Sequence, residues 1–286
     1  MEGEHDRLEK DNVLWREQVP ELPEIAARAR EMRFELVGKT ITSVEVLQPK
    51  SLNLPPEEFR TALTGATLVD VSYHGKWLLV EMTQGWLLLN LGMGGELLLV
   101  TRDTLPEKYR LILDLDNDTC VAVNFWWVGY VLYIPVGKLA EHRMTARLGL
   151  NALEVTSDDL RALLKGRRRR IKSLLLDQSQ IAGIGNYYIH DILFLARLHP
   201  LRPANTLSET EIDALAQSIR DVLQVSLDKG GAWYEVDLHG ERGGFTRDDL
   251  IVAYKEGQPC PACGAPVEKI KTGSTSHFLC PQCQAL

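Results

Sequence analysis

Two Cys-x-x-Cys pairs close to the end of the chain restrict its fold more than any other feature. Cys260 and Cys263 form the first pair, Cys280 and Cys283 form the second, and sixteen residues lie between the pairs. Each pair can turn back on itself and present two sulfurs to one tetrahedral ion. The alternative is two disulfides, but the sequence carries no secretory signal, and reducing conditions would keep the thiols free. We therefore predict one Zn²⁺, structural rather than catalytic, because four thiolates leave no open coordination position.

Length and charge restrict the rest of the chain. With 286 residues, 45% of them hydrophobic, the sequence is long enough for about two domains in addition to a zinc hairpin. The net charge of -7 argues weakly against a nucleic-acid partner, since phosphates require local positive charge. That charge is uneven, because five of the six residues 167–172 are cationic. Taken alone, this run is equally consistent with a solvated helix end. No apolar run has the roughly 20 residues of a membrane span.

The hydrophobic pattern changes near the middle of the chain. Before about residue 135 it predicts one helix with Gly38 as its C-terminal cap, followed by alternating stretches that indicate antiparallel strands. The helix is predicted at 23–37 and the strands at 40–47, 66–74, 76–83, 86–91, 96–100, 108–115 and 119–125. From residue 157 to 229 the pattern is helical. Ser157 and Asp158 are predicted to cap the first helix, the next two are predicted to start near Lys172 and Asn186, and the fourth is predicted to start at Ser208-Glu-Thr-Glu, which has capping-box spacing. The fold class is therefore α+β, a helix-bearing β-sandwich or barrel followed by a helical region and the hairpin.

A glycine-rich turn, Ala182-Gly-Ile-Gly-Asn186, precedes the third predicted helix. Such a turn lets backbone N–H groups approach a ligand closely, and a helix N-terminus favours an anion. Asn186 adds a side-chain donor, so phosphate is the natural ligand. The alternative is a tight connection between two helices, with the asparagine as a cap.

This turn lies in the segment with the most specific resemblance. Residues 177–203 (DQSQIAGIGNYYIHDILFLARLHPLRP) resemble the helix–two-turn–helix segment of the formamidopyrimidine-DNA glycosylase and endonuclease VIII family. Three motifs match that family in order, and they are followed by the four-cysteine ribbon. They are Pro20-Glu-Leu-Pro-Glu24 at the start of the first domain, Gly75-Lys76-Trp in the strand with a phosphate-binding lysine, and Leu91-Gly-Met93-Gly-Gly in the turn with a void-filling methionine. The resemblance covers nearly everything after residue 18.

The family resemblance implies an architecture and a partner. It implies an extension at 1–18, a β-sandwich domain at 19–140, a helix–two-turn–helix domain at 150–245 and a zinc hairpin at 250–286. It also implies double-stranded DNA with damaged or abasic sites as the partner, bound between the first two domains by a monomer. The expected location is the cytoplasm, at the nucleoid.

The resemblance also implies a chemistry. The damaged nucleotide would be flipped out of the duplex, since an enzyme cannot reach C1′ inside the base stack. The secondary amine of Pro20 would attack C1′, release the base and form an iminium ion, while Glu21 handles protons at the sugar. Lys76 and Asn186 would bind the DNA backbone, and Met93 would fill the void left by the flipped base.

Pro20, however, lies inside the chain. A proline nitrogen that follows another residue is a tertiary amide with a delocalised lone pair, and it cannot form an iminium. In one reading, translation starts at position 19, since valine codons can serve as bacterial starts, and removal of the initiating methionine frees Pro20. In the other, the covalent route is closed. The lyase step is therefore expected only where Pro20 is the mature N-terminus.

Other positions also depart from the family pattern. The loop at 124–130 (NFWWVGY) has aromatic residues and no cation where the family carries paired arginines and a wedge. The phosphate-binding arginine of the zinc hairpin aligns near Ser274 or Thr275, and Asn90 replaces a usual histidine. Residues 231–245 correspond to the loop that closes over the flipped base, with His239 and Arg242 as its available polar side chains.

Three functions remain open from the residues and the resemblance. The first is a DNA-repair glycosylase that acts on oxidised or otherwise damaged bases. The second is a non-catalytic protein on the same scaffold that recognises lesions or structured nucleic acid. The third is a zinc-bearing interaction module without a nucleic-acid role. A free amine at Pro20 separates the first two, and salt-dependent duplex binding separates both from the third.

Overall fold

The computed structural model describes residues 19–125, 128–273 and 275–286. The chain divides into two compact units. The first unit runs to Ala146 and includes Lys229–Gly244, and the second combines Arg147–Asp228 with Phe245–Leu286. The predicted extension at 1–18 lies outside the described residues, as do Trp126, Trp127 and Ser274.

The first unit is a β-sandwich that carries helices. Two four-stranded antiparallel sheets have the strand orders β1-β6-β7-β5 and β2-β3-β4-β8. The helices are α1 (Leu22–Leu36) and α2 (Pro56–Leu63), and the strands are β1 (Ile41–Val46), β2 (Leu68–His74), β3 (Trp77–Met82), β4 (Gly85–Asn90), β5 (Glu96–Thr101), β6 (Leu111–Leu115), β7 (Thr119–Asn124) and β8 (Tyr130–Pro135). The predicted first helix and all seven predicted strands are present, with ends within three residues of the predicted limits. Gly38 follows α1 with a φ of +87°, as a C-terminal cap requires.

Side chains from both sheets and from α1 form the core of this unit. Leu78 and Val80 of β3 meet Leu113 of β6 and Val121 of β7 in one buried cluster. Burying such aliphatic side chains contributes roughly 1.5–3 kcal/mol each. Leu238, from the distant stretch Lys229–Gly244, belongs to the same cluster. That stretch is therefore part of the folded first unit and not only a surface connection.

Two elements of the first unit were not among those predicted. The α2 helix has only two buried side chains, Phe59 and Leu63, which lie one turn apart. Eight residues with so short an apolar stripe carry little periodic signal. The strand β8 pairs with β4 and completes the second sheet, but it follows directly on an aromatic loop that hides its start in the sequence.

The second unit is mostly helical. Its helices are α3 (Ser157–Leu164), α4 (Ile171–Leu175), α5 (Ile189–Leu195) and α6 (Glu209–Asp228), and its strands are the short parallel pair β9 (Leu150–Asn151) and β10 (Ile181–Ala182) and the hairpin β11 (Glu268–Thr272) and β12 (Thr275–Leu279). The predicted capping box of α6 is confirmed, because the Ser208 N–H donates to Glu211 Oε2 at 2.7 Å and the Glu211 N–H donates to Ser208 Oγ at 3.4 Å.

Two predicted helix starts are corrected. The N-cap of α3 is Thr156, whose Oγ1 accepts the Asp159 N–H at 3.2 Å, and not Ser157 or Asp158. The helix α5 begins at Ile189, three residues later than predicted, because the turn that contains Asn186 continues through Tyr188. Asn186 therefore precedes α5 and does not cap it.

Within the described ranges, every helix is too short or too polar to cross a membrane.

Candidate active site and metal centre

The start of α1 places the two predicted catalytic residues in a buried setting. Pro20 is buried, and Glu21, the N-cap residue, is only 3% exposed. The Glu21 N–H donates to Glu24 Oε2 at 2.8 Å, and the Glu21 carbonyl accepts the Ile25 N–H at 3.2 Å. Pro23 sits within the first turn, where a helix needs no N–H from it. The backbone of Glu21 is therefore held from both sides. The Pro20 nitrogen is an amide bonded to Val19 in this chain.

Lys76 and Met93 lie in two turns that one asparagine joins. Lys76 lies with Gly75 in the two-residue turn between β2 and β3, where Gly75 has a φ of +55°, so the lysine is at a hairpin tip and not within a strand. Asn90 Nδ2 donates to the Lys76 carbonyl at 3.1 Å, and Asn90 Oδ1 accepts the Gly92 N–H at 3.2 Å. Asn90, which stands where the family usually has a histidine, thus connects the turn of Lys76 to the turn of half-buried Met93.

Beside the aromatic loop lies a cation that sequence reasoning missed. Phe125 is buried, and the guanidinium of Arg110 lies over its ring at 5.0 Å while Arg110 Nε donates to the Phe125 carbonyl. Arg110 immediately precedes β6, on another part of the chain, so the loop sequence alone could not predict this contact. The two tryptophans of the predicted wedge, Trp126 and Trp127, are outside the described residues.

Acidic side chains of α1 bind the backbone of the stretch Lys229–Gly244. Glu24 Oε1 accepts the Ala232 N–H at 3.0 Å, and Glu31 Oε2 accepts the Leu238 N–H at 3.1 Å. Glu235 is buried next to them. Burial raises the pKa of the Glu235 carboxyl well above its ordinary value, and nearby Glu24 raises it further.

In the second unit, Gln178 organises the turn that presents Asn186. Gln178 Oε1 accepts the Gly183 N–H at 2.9 Å, and its Nε2 donates to the carbonyls of Ile184 at 2.8 Å and Leu176 at 3.1 Å. Asn186 is exposed, although the residues on both sides of it are buried. Its side chain is therefore exposed to solvent by a turn that is fixed from within. Gln178 was missed because an interior glutamine resembles any other loop residue in the sequence.

The four predicted cysteines form one cluster, and they fit a zinc ion. Their four sulfurs all lie within 4.8 Å of one another, with Cys263 and Cys280 Sγ atoms 3.4 Å apart and those of Cys260 and Cys283 3.9 Å apart. Zn–S bonds of about 2.3 Å in a tetrahedron separate sulfurs by about 3.8 Å. The same distances are far from the roughly 2.05 Å of a disulfide. The cluster is the ligand set of one structural zinc, as predicted.

The zinc hairpin is bonded to the helices of its own unit. The buried ammonium of Lys172 donates to the Ser276 carbonyl at 2.7 Å, and His190 Nδ1 accepts the Phe278 N–H at 3.2 Å. Both bonds attach the backbone of β12 to the helices. The predicted basic run at 167–172 is thus divided, with exposed arginines before α4 and a buried structural lysine within it. Thr275 begins β12, and Ser274 lies outside the described residues.

Comparison with family models places three known domains along the chain. Residues 19–124 match the formamidopyrimidine-DNA glycosylase N-terminal domain. Residues 148–236 match the formamidopyrimidine-DNA glycosylase H2TH domain. Residues 257–286 match the zinc finger found in FPG and IleRS.

Whole proteins and solved structures agree with these models. The chain is 37% identical over 284 residues to a formamidopyrimidine-DNA glycosylase of Roseiflexus, with 93% of this chain and all of the relative covered. A Gluconobacter oxydans protein of the same description is also 37% identical, over 279 residues, with 93% of this chain and all of that relative covered. The Lactococcus lactis Fpg in complex with abasic-site DNA superposes with a TM-score of 0.85 at 30% identity, over 93% of this chain and all of that one. A mutant of the same protein with Fapy-dG-containing DNA gives a TM-score of 0.86 at the same identity and coverage.

Proposed function

The chain belongs to the formamidopyrimidine-DNA glycosylase family and is a DNA-repair glycosylase, and from this premise we propose which residues carry out the reaction and on what DNA. The substrate is duplex DNA with an oxidised or otherwise damaged base, which the enzyme binds as a monomer at the nucleoid. The observation that carries the proposal is the match along the whole of a relative whose structure holds abasic-site DNA.

The proposed chemistry centres on Glu21. The damaged nucleotide is flipped, and the N-glycosidic bond at C1′ is the bond that breaks. Where residues 1–19 precede it, Pro20 has no free amine, and Glu21 acts as a general base that takes a proton from water. The hydroxyl oxygen bonds to C1′, the base leaves with the electron pair of the broken bond, and the proton is returned to it. Where Pro20 is the first residue, its amine attacks C1′ instead and adds the lyase step through an iminium.

The proposed DNA contacts come from one residue of each unit, together with one side chain that fills space. Lys76 at its hairpin tip and Asn186 on its glycine turn each contact a backbone phosphate. Met93 occupies the gap that the flipped nucleotide leaves in the stack. Replacing Lys76 with alanine should weaken duplex binding and reduce the slope of log K against log salt by about 0.9, the value for one lost phosphate contact. An unchanged slope would remove Lys76 from the proposed contacts.

Borohydride trapping tests the catalytic part of the proposal. The chain with residues 1–19 should release a damaged base but form no trapped complex on abasic DNA, since no iminium can form. A chain that begins at Pro20 should be trapped. Glu21→Gln in the longer chain should abolish base release while duplex binding is kept.

The outcomes of this experiment separate the residues. If the longer chain is trapped as well as the shorter one, another amine performs the attack and the role of Pro20 is wrong. If neither chain releases a damaged base, the protein binds lesions without cleaving them. If Glu21→Gln still releases the base at the original rate, the general base lies elsewhere.

A further inference from the structure

The Glu24 side chain joins two parts of the first unit that are far apart in the sequence. Glu24 is 4% exposed, and its two carboxylate oxygens serve two different N–H groups. Oε2 accepts the Glu21 N–H at 2.8 Å, and Oε1 accepts the Ala232 N–H at 3.0 Å. Hydrogen bonds from backbone N–H groups to an ionised acceptor are among the stronger kinds in proteins. One carboxylate therefore fixes the start of α1 and the beginning of the distant stretch relative to each other.

The other end of this stretch is fixed to the same unit. The Leu238 side chain is fully buried in the core, and its carbonyl accepts the Leu99 N–H of β5 at 2.7 Å. Its N–H donates to Glu31, which also pairs with Arg28 on α1. Asp237 Oδ1 closes the turn that follows by accepting two backbone N–H groups at 2.8 Å. The residues between the two attachments, 233–237, are held at both ends.

A glycine makes the approach to Glu24 possible. A Cβ added to Gly231 would lie 3.2 Å from Glu24 Cγ and 3.3 Å from Glu24 Cα. These contacts are tighter than ordinary van der Waals separations, so the glutamate would have to shift by a few tenths of an ångström. Gly230, its neighbour, has a similar left-handed φ, +77° against +93°, but a methyl group added there would meet open space. Alanine at either position would therefore introduce similar backbone strain, but only alanine at Gly231 would also press against Glu24.

We propose that Glu24 is a positioning residue that couples the segment 231–238 to Glu21. The proposal rests on the proposed function, in which Glu21 acts at the sugar, and on the family resemblance, which implies that this segment belongs to the loop over the flipped base. A displacement of the segment moves the Ala232 N–H, and the shared carboxylate transmits that displacement to the Glu21 backbone. The geometry for base removal is then complete only when the segment is in place, so recognition of the base and chemistry at the sugar are linked through one side chain.

Paired alanine substitutions at the two glycines test this coupling. The rate of base release in a single turnover is measured on duplex with a damaged base, and the Kd is measured on duplex with a tetrahydrofuran abasic analogue. Gly231→Ala should lower the rate about tenfold or more, because small misplacements of catalytic groups have large effects on rate. Gly230→Ala should lower it less than about twofold, because it has the same kind of strain without the contact. The Kd for the analogue, which has no base, should stay the same in both.

A substitution at Glu24 itself distinguishes loss of the coupling from a general folding defect. Glu24→Gln keeps the shape and one oxygen acceptor but places an NH₂ group against one of the two N–H donors, and it should reduce the rate with the same unchanged Kd. Equal rates for the two glycine variants, or a Kd that weakens in parallel with the rate, would overturn the coupling. Failure of the wild-type chain to release any base would instead refute the proposed function and would leave the Kd comparison unaffected.

Discussion

The two units attach a distant stretch of chain to a helix by the same device, a carboxylate that accepts backbone N–H groups, but the surroundings of that carboxylate differ. In the first unit, two glutamates of α1 accept backbone N–H groups of the stretch Lys229–Gly244. In the second unit, Asp191 of α5 accepts the N–H groups of Ile251, Val252 and Ala253 at 2.8–2.9 Å. Each irregular stretch has buried backbone groups that need partners, and side chains supply them where no strand is available.

The difference lies in what surrounds these anchors. The first unit concentrates acids, with buried Glu235 next to Glu24 and with Arg28 opposing them. The second unit concentrates nitrogen bases, because His190 and His277 are buried close to the ammonium of Lys172. A buried carboxyl with a raised pKa makes the folded state less stable as pH rises. A buried imidazole with a lowered pKa makes the folded state less stable as pH falls. Glu235 and the two histidines should therefore contribute pH dependences of opposite sign, while the Asp191 carboxyl, whose pKa burial also raises, adds to the second unit the same sign as Glu235.

The largest expected effect affects the second unit alone. Cys263→Ser removes one of four zinc ligands, and a structural zinc site contributes on the order of 10 kcal/mol to the folding of a small hairpin. Zinc content should fall well below one per chain, and amide exchange in residues 260–284 should lose its protection. The first unit should keep its exchange pattern. Cys120→Ala is the control, since it removes a buried thiol of β7 outside the cluster and should leave zinc bound. Zinc retention by the Cys263 variant would contradict the ligand assignment.

The next effect concerns the anchor of the second unit. Asp191→Asn replaces an acceptor of three N–H groups by one that presents a donor, and it should lower the free energy of unfolding by about 3 kcal/mol. Urea titration followed by far-UV circular dichroism measures this. Asp221→Asn, on the exposed face of α6, should change it by less than about 0.5 kcal/mol. Equal effects of the two substitutions would show that the three hydrogen bonds contribute nothing beyond a surface contact.

The anchors also mark the limit of what the sequence could predict. Cysteine spacing identified the zinc ligands, and period-two alternation identified seven strands, because both signals are local. The bond from Ala232 to Glu24 spans 208 residues, and a glutamate in the first turn of a helix reads as an ordinary favourable charge. Asn90 and Gln178 were missed as organisers for the same reason. Their roles depend on which turns the fold brings together, and no periodicity encodes that.

A smaller effect tests the acidic side of the comparison. Because the pKa of folded Glu235 is raised, its protonated form is favoured, and stability falls as pH rises from about 4.5 through the folded value. Glu235→Gln should remove this loss, so the variant should be more stable than the wild type at pH 8 and equal to it near pH 4. Exchange protection of residues 229–244 between these pH values measures it. Glu241→Gln, exposed on the same stretch, should leave the profile unchanged, and a flat wild-type profile would refute the prediction.

The smallest effect tests the basic side and appears only in acid. His277 is 3% exposed, and its Nε2 lies 2.6 Å from Thr272 Oγ1. Burial lowers the pKa of His277 to about 4, and the nearby cations Lys172 and Arg170, with His199, lower it in the same direction. The folded state thus binds fewer protons than the unfolded state between pH 6.5 and 4, so stability is complete above 6.5 and is lost as pH falls.

Glutamine at this position separates titration from packing. His277→Gln can keep the bond to Thr272 but cannot be protonated, so unfolding of the second unit should match the wild type at pH 7.5 and should show a shallower loss between pH 6.5 and 4. His239→Gln, on an exposed turn of the first unit, should leave the loss of stability of the second unit between pH 6.5 and 4 unchanged. If the acid loss persists in full in the His277 variant, His190 is the titrating group. Its Nδ1 must stay unprotonated to accept the Phe278 N–H, and the same sign of pH dependence would then come from the anchor of the hairpin itself.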